Sequence, residues 1–315
     1  MVYHEPVLLK ESIEALKIKK TGVYVDATFG GGGHSKEILK HLTKGKLYPF
    51  DKDKSAIANN KIIDEKLNLI NADFKFIKQF LEQDDIHSID GLLADLGVSS
   101  YQINTAERGF SFRFDSYLDM RMNTSSEIDA FYILNNYSEE HIASILFDFG
   151  EIYNSRKISR RIVLSRQENI IRTTFDLKNI LQKFSRPNKL NQLLAKVFQA
   201  IRIEVNQEIS SLKKLLEDAS DLLNENGRLV IISYHSLEDR LVKNLIKTGN
   251  VEGYIEKDFY GNTKKNKIRS VNKKVITVKE NERLKNKRSR SPKLRIGERV
   301  LLWKNPKITK RYYHY

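Results

Sequence analysis

The fold class is decided by the run VYVDATFGGGGHS at residues 23–35. Four consecutive glycines follow an apolar segment that is typical of a buried strand. Glycine has no Cβ and adopts positive φ easily, so the chain can turn sharply there into a helix and present free backbone amides to a ligand. Taken alone, such a loop indicates a tight turn as readily as a ligand site.

Two well-known glycine patterns do not fit this loop. A phosphate-binding loop requires a Lys-Ser or Lys-Thr pair after its glycines, and none follows here. The dinucleotide pattern requires a third glycine where this chain has Ser35 or Lys36. The remaining interpretation is a looser turn that binds a nucleoside.

The next predicted strand supplies an acid for such a ligand. The segment KLYPFDKD at residues 46–53 contains Asp51, which lies about 20 residues past the loop. Nucleotide-binding α/β folds place an acidic residue at this point to bind the ribose hydroxyls. Asp51 is therefore the predicted ribose ligand. The alternative is an aspartate that caps the helix starting near Ser55, and Asp53 suits that role.

Alternating strand and helix patterns at the front of the chain predict a parallel sheet. The predicted strands are residues 23–28, 47–50, 67–71 and 89–95, followed much later by the RLVIIS segment at 228–233. A long amphipathic helix precedes RLVIIS and is predicted to stop at Gly227. The fold class predicted from this pattern is α/β.

Charged helical patterns replace the strand-like runs from Thr105 to Phe198. One of them is SRKISRRIVLSRQ, in which Ile158, Ile162 and Val163 are expected to share one face. We therefore divide the chain into a first sheet part at residues 1–104, a helical insertion at 105–200, and a second sheet part with a basic C-terminal region at 201–315.

Charge is distributed unevenly along the 315 residues, whose formal net charge is +15. The first 150 residues contain 17 Lys and Arg against 23 Asp and Glu, whereas the remaining residues contain 38 against 17. Basic residues dominate between Lys257 and Arg311, and the aromatic residues near them are Phe259, Tyr260, Trp303, Tyr312 and Tyr313. This combination is typical of a nucleic-acid-binding surface, and the alternative is a solvated surface in a lysine-rich chain.

The composition excludes several classes of site. The chain contains no cysteine, which excludes disulfides, cysteine-ligated metals and cysteine nucleophiles, and its seven histidines lack metal-ligand spacing. We therefore predict no metal. There is neither an apolar run long enough to span a membrane nor a secretory leader, so a cytoplasmic location is expected.

Two polar stretches follow predicted strands and are expected to meet at the carboxyl edge of the sheet, where open α/β sheets bind ligands. They supply Asp95, Ser99, Ser100 and Gln102 in DLGVSSYQ, and His235, Ser236, Glu238 and Asp239 in YHSLEDR. The ordinary alternatives are helix caps, a hydrogen-bonded histidine and a surface ion pair.

Eight motifs occur in one order along almost the whole chain. They are HEPVLLKE, DATFGGGGHS, DKD, DLGVSSYQ, AERGFSF with LDMRM, FQAIRIEVNQE, GRLVIISYHSLEDR and RSPKLRIGER. Together they resemble the RsmH/MraW family of ribosomal RNA methyltransferases, and they are far more specific than the glycine loop alone. One departure is the segment before LDMRM, where the family usually has Asp-Gly-Pro and this chain has Asp115, Ser116 and Tyr117.

The resemblance implies a fold, a cofactor and a partner. The implied fold is a Rossmann-like S-adenosylmethionine-dependent methyltransferase sheet with an inserted helical domain that recognises the substrate. The implied reaction transfers a methyl group from S-adenosyl-L-methionine to the N4 amino group of a cytosine in the decoding region of 16S rRNA. The implied partner is this rRNA in the small ribosomal subunit, without a membrane or a metal. A homodimer stays open as an alternative to a monomer.

The resemblance also implies site residues at the matching positions. The implied cofactor contacts are Gly32, Gly33 and His34 for the methionine, Asp51 for the ribose, Phe74 for the adenine, and Asp95 and Gln102 for the remaining surface. The candidates for catalysis are Asp95, Ser99, Ser100 and His235, which would accept hydrogen bonds from the amino group or take its proton. A position in the core is the alternative for Phe74.

The target base must leave its stack to enter such a pocket, which is easiest in single-stranded or looped RNA. The candidate stacking and phosphate contacts are Arg108, Phe110, Phe112, Arg113 and Arg121, with core packing as the alternative for the aromatic residues.

Two other functions stay open. One is a methyltransferase of the same fold acting on another RNA or a protein amine, and the other is a non-catalytic RNA-binding factor of ribosome assembly. The chain lacks the Asn/Asp-Pro-Pro-Tyr motif of DNA amino-methyltransferases, and intact acids at positions 51 and 95 argue against the non-catalytic factor.

Overall fold

A central β-sheet with helices on both faces follows the alternating pattern of the sequence. The structure, a computed structural model, describes residues 6–255, 257, 259–263, 265–272, 274–278 and 292–301. Its strands are β1 (Val23–Asp26), β2 (Lys46–Pro49), β3 (Ile89–Asp95), β4 (Leu223–Ser233), β5 (Ile268–Ser270), β6 (Ile276–Thr277) and β7 (Lys293–Arg299).

The helices flank the sheet and also form the region between β3 and β4. Those that precede β3 or directly follow it are α1 (Leu9–Leu16), α2 (Gly33–His41), α3 (Lys54–Ala58), α4 (Ile77–Gln83) and α5 (Ser100–Asn104). Next come α6 (Ala130–Asn136), α7 (Glu139–Asp148), α8 (Ser155–Glu168), α9 (Thr174–Leu181) and α10 (Pro187–Asn206). The last two are α11 (Glu208–Leu222) and α12 (Ser236–Thr248).

The sheet has the strand order β2-β1-β3-β4-β7-β5, and β6 also pairs with β7. The first four strands in this order are parallel, with Val25 of β1 opposite both Tyr48 of β2 and Leu92 of β3. Strand β7 runs antiparallel to β4. The predicted α/β class and its parallel, Rossmann-like sheet are therefore confirmed.

Two local predictions are wrong. Residues 67–71 do not form a strand, because their contact with the sheet is limited to two isolated bridges beside β2. Gly227 does not stop a helix, because α11 ends earlier and its capping residue, Leu223, is already extended and begins β4. At residues 67–71 the apolar pattern lacks continuous pairing, whereas before Gly227 the pairing of Leu223 with Ile89 of β3 begins a strand in place of the predicted helix end.

Two apolar cores lie on opposite faces of the sheet. Tyr24 and Val25 are consecutive in β1, and they belong to different cores, as the alternation of side chains along a strand requires. Helices α1 and α2 cover the face of Tyr24, and α4, α11 and α12 cover the face of Val25. Since both faces are covered, polar residues gather where the strands end.

A third core, with members from Phe110 to Val205, lies inside the helical region. In α8, Ile158 and Ile162 are fully buried in this core and the partly buried Val163 packs against it, which confirms the predicted apolar face. Among the described residues, this core shares no buried member with the two cores of the sheet. The limits of the three-part division stay predictions.

Buried polar contacts attach the helical region to the sheet. Arg108 Nη1 lies 2.9 Å from Asp53 Oδ2, and 10% and 4% of these side chains are exposed. Lys52 Nζ donates to the carbonyl of Asn206 at 2.9 Å, and the Asn206 side chain bonds backbone groups of the segment before α6. These contacts hold the helical region beside the carboxyl edge of the sheet.

Strand β7 lies in a segment for which the sequence analysis predicted no strand. Leu294 and Ile296 face the core, while Lys293 and Arg295 point the other way and pair with Asp239 of α12 at 3.0 and 2.6 Å. Part of the basic C-terminal region is therefore an element of the sheet. None of the described helices is both long and apolar enough to cross a membrane.

Two of the five aromatic residues predicted to accompany the basic region are described by the structure, and both are exposed. Phe259 is 97% exposed and Tyr260 is 85% exposed. Trp303, Tyr312 and Tyr313 lie outside the described residues. The nucleic-acid-binding role of this region stays a prediction.

Candidate active site

A cavity of about 250 Å³ opens at the carboxyl edge of the sheet, where the parallel strands end. Eight of the ten predicted site residues line it, namely Gly33, His34, Asp51, Phe74, Asp95, Ser99, Ser100 and Gln102. The other two, Gly32 and His235, are not among its lining residues. The fold therefore brings the two polar stretches and the glycine loop to one site, as expected for the carboxyl edge of an open α/β sheet.

Backbone geometry explains the glycine loop. Gly30 lines the cavity with φ +52°, and a Cβ added there would meet nothing within 4 Å. Gly32 has φ +74°, and its Cβ would lie 2.9 Å from the Ile62 side chain, so this residue packs against the protein rather than the cavity. Gly33 begins α2, and a Cβ there would overlap the ring of Pro6. The loop therefore combines one open backbone position with two that close packing restricts to glycine.

Asp51 ties the end of β2 to the glycine loop. Its Oδ2 accepts a hydrogen bond from Gly30 N at 2.8 Å, and its Oδ1 accepts one from Asp53 N at 2.8 Å. Burial raises the pKa of Asp51 to about 6, in opposition to these two hydrogen bonds. A carboxylate has about four acceptor sites, so Asp51 retains capacity for the two hydroxyls of a ribose.

Asp26 supports the loop from below without lining the cavity. Its Oδ2 accepts a hydrogen bond from Ser35 Oγ at 2.7 Å, and its Oδ1 accepts one from Thr28 N at 3.1 Å. Burial raises the pKa of Asp26 to about 7. The carboxyl group therefore fastens the end of β1 to the first turn of α2.

Asp95 lies at the end of β3 and is held by Tyr234, the first residue after β4. The Tyr234 hydroxyl donates to Asp95 Oδ1 at 2.8 Å, and Asp95 N donates to Thr28 Oγ1 at 2.6 Å. Burial raises the pKa of Asp95 to about 7, and repulsion from Asp26 and Glu238 adds to this, whereas the Tyr234 hydrogen bond opposes it. Both Asp95 and Tyr234 line the cavity.

His34 presents an unsatisfied nitrogen in the same place. Burial lowers the pKa of His34 to about 4, so the ring is neutral near pH 7, although a hydrogen bond with the backbone of Val7 opposes the shift. Its Nε2 atom is buried and finds no hydrogen-bond partner among the described residues. A buried polar atom in this state costs free energy until a ligand supplies a partner.

Ser99 and Gln102 belong to a capping network at the start of α5. Each bonds the backbone amide of the other, at 3.2 and 3.0 Å, and Gln102 Nε2 donates to Asp53 Oδ2 at 2.8 Å. Asp53 caps α3 by accepting a hydrogen bond from Ser55 N, which confirms its predicted capping role. Ser100 lines the cavity as the first residue of α5. The network fixes the Gln102 amide at the cavity wall.

Phe74 begins a short 3₁₀ helix that Asp73 caps by accepting a hydrogen bond from the backbone of Lys75. The Phe74 side chain packs against the core on one face of the sheet and also lines the cavity. Phe74 can therefore both pack in the core and contact a ligand, so the two predicted alternatives do not exclude each other.

His235 lies behind the cavity wall because its ring caps α12. Its Nδ1 accepts a hydrogen bond from Glu238 N at 3.5 Å, and its Nε2 lies 3.1 Å from Glu238 Oε1. Burial acts to raise the pKa of Glu238, but hydrogen bonding and attraction to His235 hold it below its usual range. Glu238 is the residue of this pair that lines the cavity.

Glu208 joins His235 and Glu238 in a group whose potential ligand atoms lie within 4.8 Å of one another. The spacing of histidines and acids in the sequence did not predict this group. Arg202 donates to both carboxylate oxygens of Glu208, at 2.8 and 2.9 Å. The guanidinium supplies the positive charge that a cation would otherwise bring, so the arrangement is that of a buried ion-pair network.

The candidate RNA contacts near the start of the helical region divide by burial. Phe110 and Phe112 pack in the helical core, so the alternative of core packing is confirmed for both. Arg108 and Arg121 are held in ion pairs with aspartates. Arg113 is exposed. Among these five residues, the structure thus leaves Arg113 the most accessible to RNA.

Sequence reasoning assigned no role to Asp26, Tyr234 or Glu208. Tyr234 and Glu208 line the cavity, and Asp26 supports the loop. Tyr234 could have been predicted, because it directly follows a buried strand, and a place at the end of a strand is what selected Asp95. Glu208 ends the motif FQAIRIEVNQE, but that motif does not report the packing of α11, which brings Glu208 to the cavity.

Comparisons with known proteins extend over nearly the whole chain. A family model described as the MraW methylase family matches residues 1–300. A protein from Flavobacterium johnsoniae named ribosomal RNA small subunit methyltransferase H is 49% identical over 301 residues, which cover 95% of this chain and 99% of that protein. Proteins of the same name from Amoebophilus asiaticus and Cytophaga hutchinsonii are 51% and 50% identical, with 95% of this chain covered in each case and 97% and 100% of theirs. A solved rRNA methylase from Streptococcus thermophilus aligns with a TM-score of 0.43 and 12% identity over 96% of this chain and 99% of its own.

Proposed function

The chain belongs to the MraW methylase family, and we propose that it transfers a methyl group from S-adenosylmethionine to the N4 amino group of a cytosine in the decoding region of 16S rRNA. The relatives named ribosomal RNA small subunit methyltransferase H support methyl transfer to rRNA. The order of the eight motifs supports the cytosine and its amino group. A cytoplasmic location, where small ribosomal subunits are found, belongs to the same proposal.

The observation that carries the proposal is a pair of half-buried acids in one cavity without a bonded cation. Asp51 follows β2 and Asp95 ends β3, on either side of β1, and neither forms an ion pair with a described residue. Burial raises the pKa of Asp51 to about 6 and that of Asp95 to about 7. A cationic ligand relieves the cost of ionising such groups, and S-adenosylmethionine carries both a sulfonium and an ammonium group.

The cavity residues fit this cofactor part by part. Asp51 keeps acceptor capacity for the ribose hydroxyls, and the neutral His34 ring offers its orphaned Nε2 to the ammonium group of the methionine. Phe74 offers an apolar surface to the adenine, and the backbone at Gly30 is open. When bound, S-adenosylmethionine supplies an electrophilic methyl group on a positively charged sulfur.

The chain's own residues orient the acceptor base. The N4 lone pair of cytosine is delocalised into the ring, so the protein must hold the amino group in a reactive orientation. Asp95, Ser99 and Ser100 line the same wall of the cavity, and we assign to them the hydrogen bonds from the amino group. His235 reaches the cavity only through Glu238, so it acts on the released proton through that carboxylate or a water.

The test uses small ribosomal subunits from a strain that lacks this protein. Purified protein and radiolabelled S-adenosylmethionine are added. The 16S rRNA is digested to nucleosides, which are separated by chromatography and identified by mass spectrometry, and the ribosomal proteins are counted for label separately. We expect label in N4-methylcytosine. Label in another nucleoside or in ribosomal protein supports the alternative of a same-fold methyltransferase with a different substrate. Calorimetry that detects no binding of S-adenosylmethionine supports the non-catalytic assembly factor.

A further inference from the structure

An exposed basic surface with an aromatic residue lies at the start of α8. Tyr153, two residues before this helix, is 95% exposed, and Arg156, Lys157 and Arg160 follow on the exposed face of the helix. We call these four residues the α8 surface. The opposite face of α8 is buried in the helical core, so the four side chains take no part in packing that core.

The α8 surface lies beside the rim of the cavity. Glu151, two residues before Tyr153, accepts hydrogen bonds from Ser236 Oγ at 2.9 Å and from Arg240 Nη2 at 3.4 Å. Ser236 is the first residue of α12 and lies two positions after Tyr234, which lines the cavity. The loop that leads into α8 is therefore fastened to the start of α12, next to the strand end that carries Tyr234.

The charge of this surface is not compensated within the protein. None of Arg156, Lys157 and Arg160 forms an ion pair with a residue in the part of the chain that the structure describes. Glu151, the nearest acid in sequence, is already engaged by α12. Three neighbouring cations on one helix face attract a polyanion and repel a basic partner.

The exposed ring of Tyr153 indicates which kind of polyanion the α8 surface binds. A tyrosine with 95% exposure buries almost no apolar area, so packing does not explain its position. Aromatic residues next to basic side chains are the usual means of binding single-stranded nucleic acid, because every base has a face on which a ring can stack. A base that leaves its stack to enter the cavity also leaves its neighbours partly unstacked.

We propose that the α8 surface binds the single-stranded RNA that flanks the target base, with Tyr153 stacked on an unpaired neighbouring base and the three basic side chains on adjacent phosphates. This inference rests on the proposed function, because it assumes that the occupant is RNA delivered to the cavity. It assigns the positioning of the RNA strand to four residues outside the cofactor cavity.

The test compares four variants of the full chain. Tyr153→Ala removes the ring and Tyr153→Phe keeps it. The triple variant Arg156→Gln, Lys157→Gln, Arg160→Gln removes three charges from the α8 surface. Its matched control, Lys44→Gln, Lys46→Gln, Lys78→Gln, removes the same charge from exposed positions outside the cavity lining and outside α8.

Binding to small ribosomal subunits and to protein-free 16S rRNA is measured over a range of salt concentrations. We expect Tyr153→Ala to weaken both by roughly 5- to 150-fold, the range for loss of one stacked base, and Tyr153→Phe to stay within about twofold of the original protein. The α8 triple variant lowers the slope of log affinity against log salt by about 2, from about 0.7 for each phosphate contact on a single strand. The control triple variant keeps the original slope.

Calorimetry with S-adenosylmethionine separates this inference from the proposed function. All four variants are expected to bind the cofactor as the original protein does. Tyr153→Ala and the α8 triple variant are expected to raise KM for subunits more than they lower kcat. If the original protein methylates rRNA, but Tyr153→Ala and the α8 triple variant keep its KM and the triple variant keeps its salt slope, the inference alone is overturned. Loss of binding to subunits with intact binding to protein-free rRNA also overturns it, because the occupant is then a ribosomal protein. Failure of the original protein to methylate rRNA overturns the proposed function, whatever the binding data show.

Discussion

The cavity at the sheet edge and the contacts that join the helical region to the sheet differ in how their charged side chains are paired. In the cavity, Asp51 and Asp95 have no ion-pair partner among the described residues, and burial raises the pKa of each. At the junction, Arg108 is paired with Asp53 at 2.9 Å, and these two side chains are more deeply buried, with 10% and 4% of them exposed. The contrast suggests a physical distinction: compensated charges hold elements of the protein together, and uncompensated charges bind ligands.

The α8 surface extends the same distinction to the outside of the molecule. Its cations are unpaired within the described chain, as the acids of the cavity are, but they are exposed and have the opposite sign. The cavity therefore suits a small cation and the α8 surface suits a polyanion. The three predictions below test whether the paired and unpaired groups really differ in this way.

The largest effect is expected at the junction. Replacing Arg108 by methionine leaves the buried carboxylate of Asp53 without its cation, and breaking a buried pair from one side costs about 3 to 5 kcal/mol. We therefore expect the free energy of unfolding to fall by about 3 kcal/mol, since Gln102 and Ser55 still donate to Asp53. Chemical denaturation with fluorescence detection measures the change.

Arg113→Met is the matched control for this prediction. Arg113 lies in the same stretch of sequence but is exposed, and its guanidinium contacts the Ser111 hydroxyl rather than a carboxylate. We expect this variant to change the free energy of unfolding by less than about 1 kcal/mol. Equal losses in the two variants would mean that the buried pair does not hold the helical region to the sheet.

A smaller effect is expected in the cavity, and it concerns binding rather than folding. Asp51→Ala removes the acceptor that we assign to the ribose, and loss of two charge-assisted hydrogen bonds weakens cofactor binding by roughly 2 kcal/mol, or about 30-fold. Calorimetry with S-adenosylmethionine measures the change. Affinity for rRNA is expected to stay unchanged, because Asp51 lies in the cofactor cavity and not on the α8 surface.

Glu65→Ala, at an exposed position outside the cavity lining, is the control for loss of one negative charge. Asp51 also accepts hydrogen bonds from Gly30 N and Asp53 N, so the unfolding free energy of Asp51→Ala is measured in parallel. Unchanged cofactor affinity in an inactive but folded Asp51→Ala protein contradicts the role in ribose binding.

Much of the cavity was predictable because its residues follow short buried strands. Asp51 was selected by its spacing from the glycine loop and Asp95 by its place at the end of a strand, and a parallel sheet brings both strand ends to one edge. The glycine loop was found in the same way. Its individual positions were not, because packing on Ile62 turns Gly32 away from the cavity, and no sequence pattern reports that contact.

The parts that were missed depend on contacts between distant segments. Strand β7 has alternating apolar and basic residues, which read as a basic tail until Asp239 of α12 is known to pair with Lys293 and Arg295. His235 was selected by its position after a strand, but its ring caps the following helix. Whether a polar residue after a strand faces the ligand or the helix is decided by its φ, ψ and side-chain rotamer, which the sequence does not reveal.

The smallest effect is expected from Tyr234→Phe, and it should depend on pH. The Tyr234 hydroxyl donates to Asp95 at 2.8 Å and so favours the ionised carboxylate, which opposes the rise of the Asp95 pKa to about 7 on burial. Asp26 and Glu238 also face Asp95, and their repulsion is unaffected by the change. The hydrogen bond stabilises the ionised carboxylate more than the protonated one, and a difference of about 1.4 kcal/mol raises the pKa of Asp95 by about one unit when the bond is lost.

The sign of the effect on binding follows from the charge of the cofactor. S-adenosylmethionine is cationic, so we expect it to bind the ionised form of Asp95, and a higher pKa reduces that form near pH 7. Affinity is therefore expected to fall about fivefold at pH 7 and to recover near pH 9, where Asp95 is ionised in both proteins. Tyr153→Phe removes a hydroxyl from the α8 surface and should leave this pH profile unchanged. A Tyr234→Phe protein that binds the cofactor more weakly by the same factor at every pH would show that Tyr234 acts by contact rather than through Asp95. In that case the ionisation of Asp95 would not control binding at the cavity. The cavity and the α8 surface would then differ in which side chains touch the ligand and not in whether a titrating charge is involved.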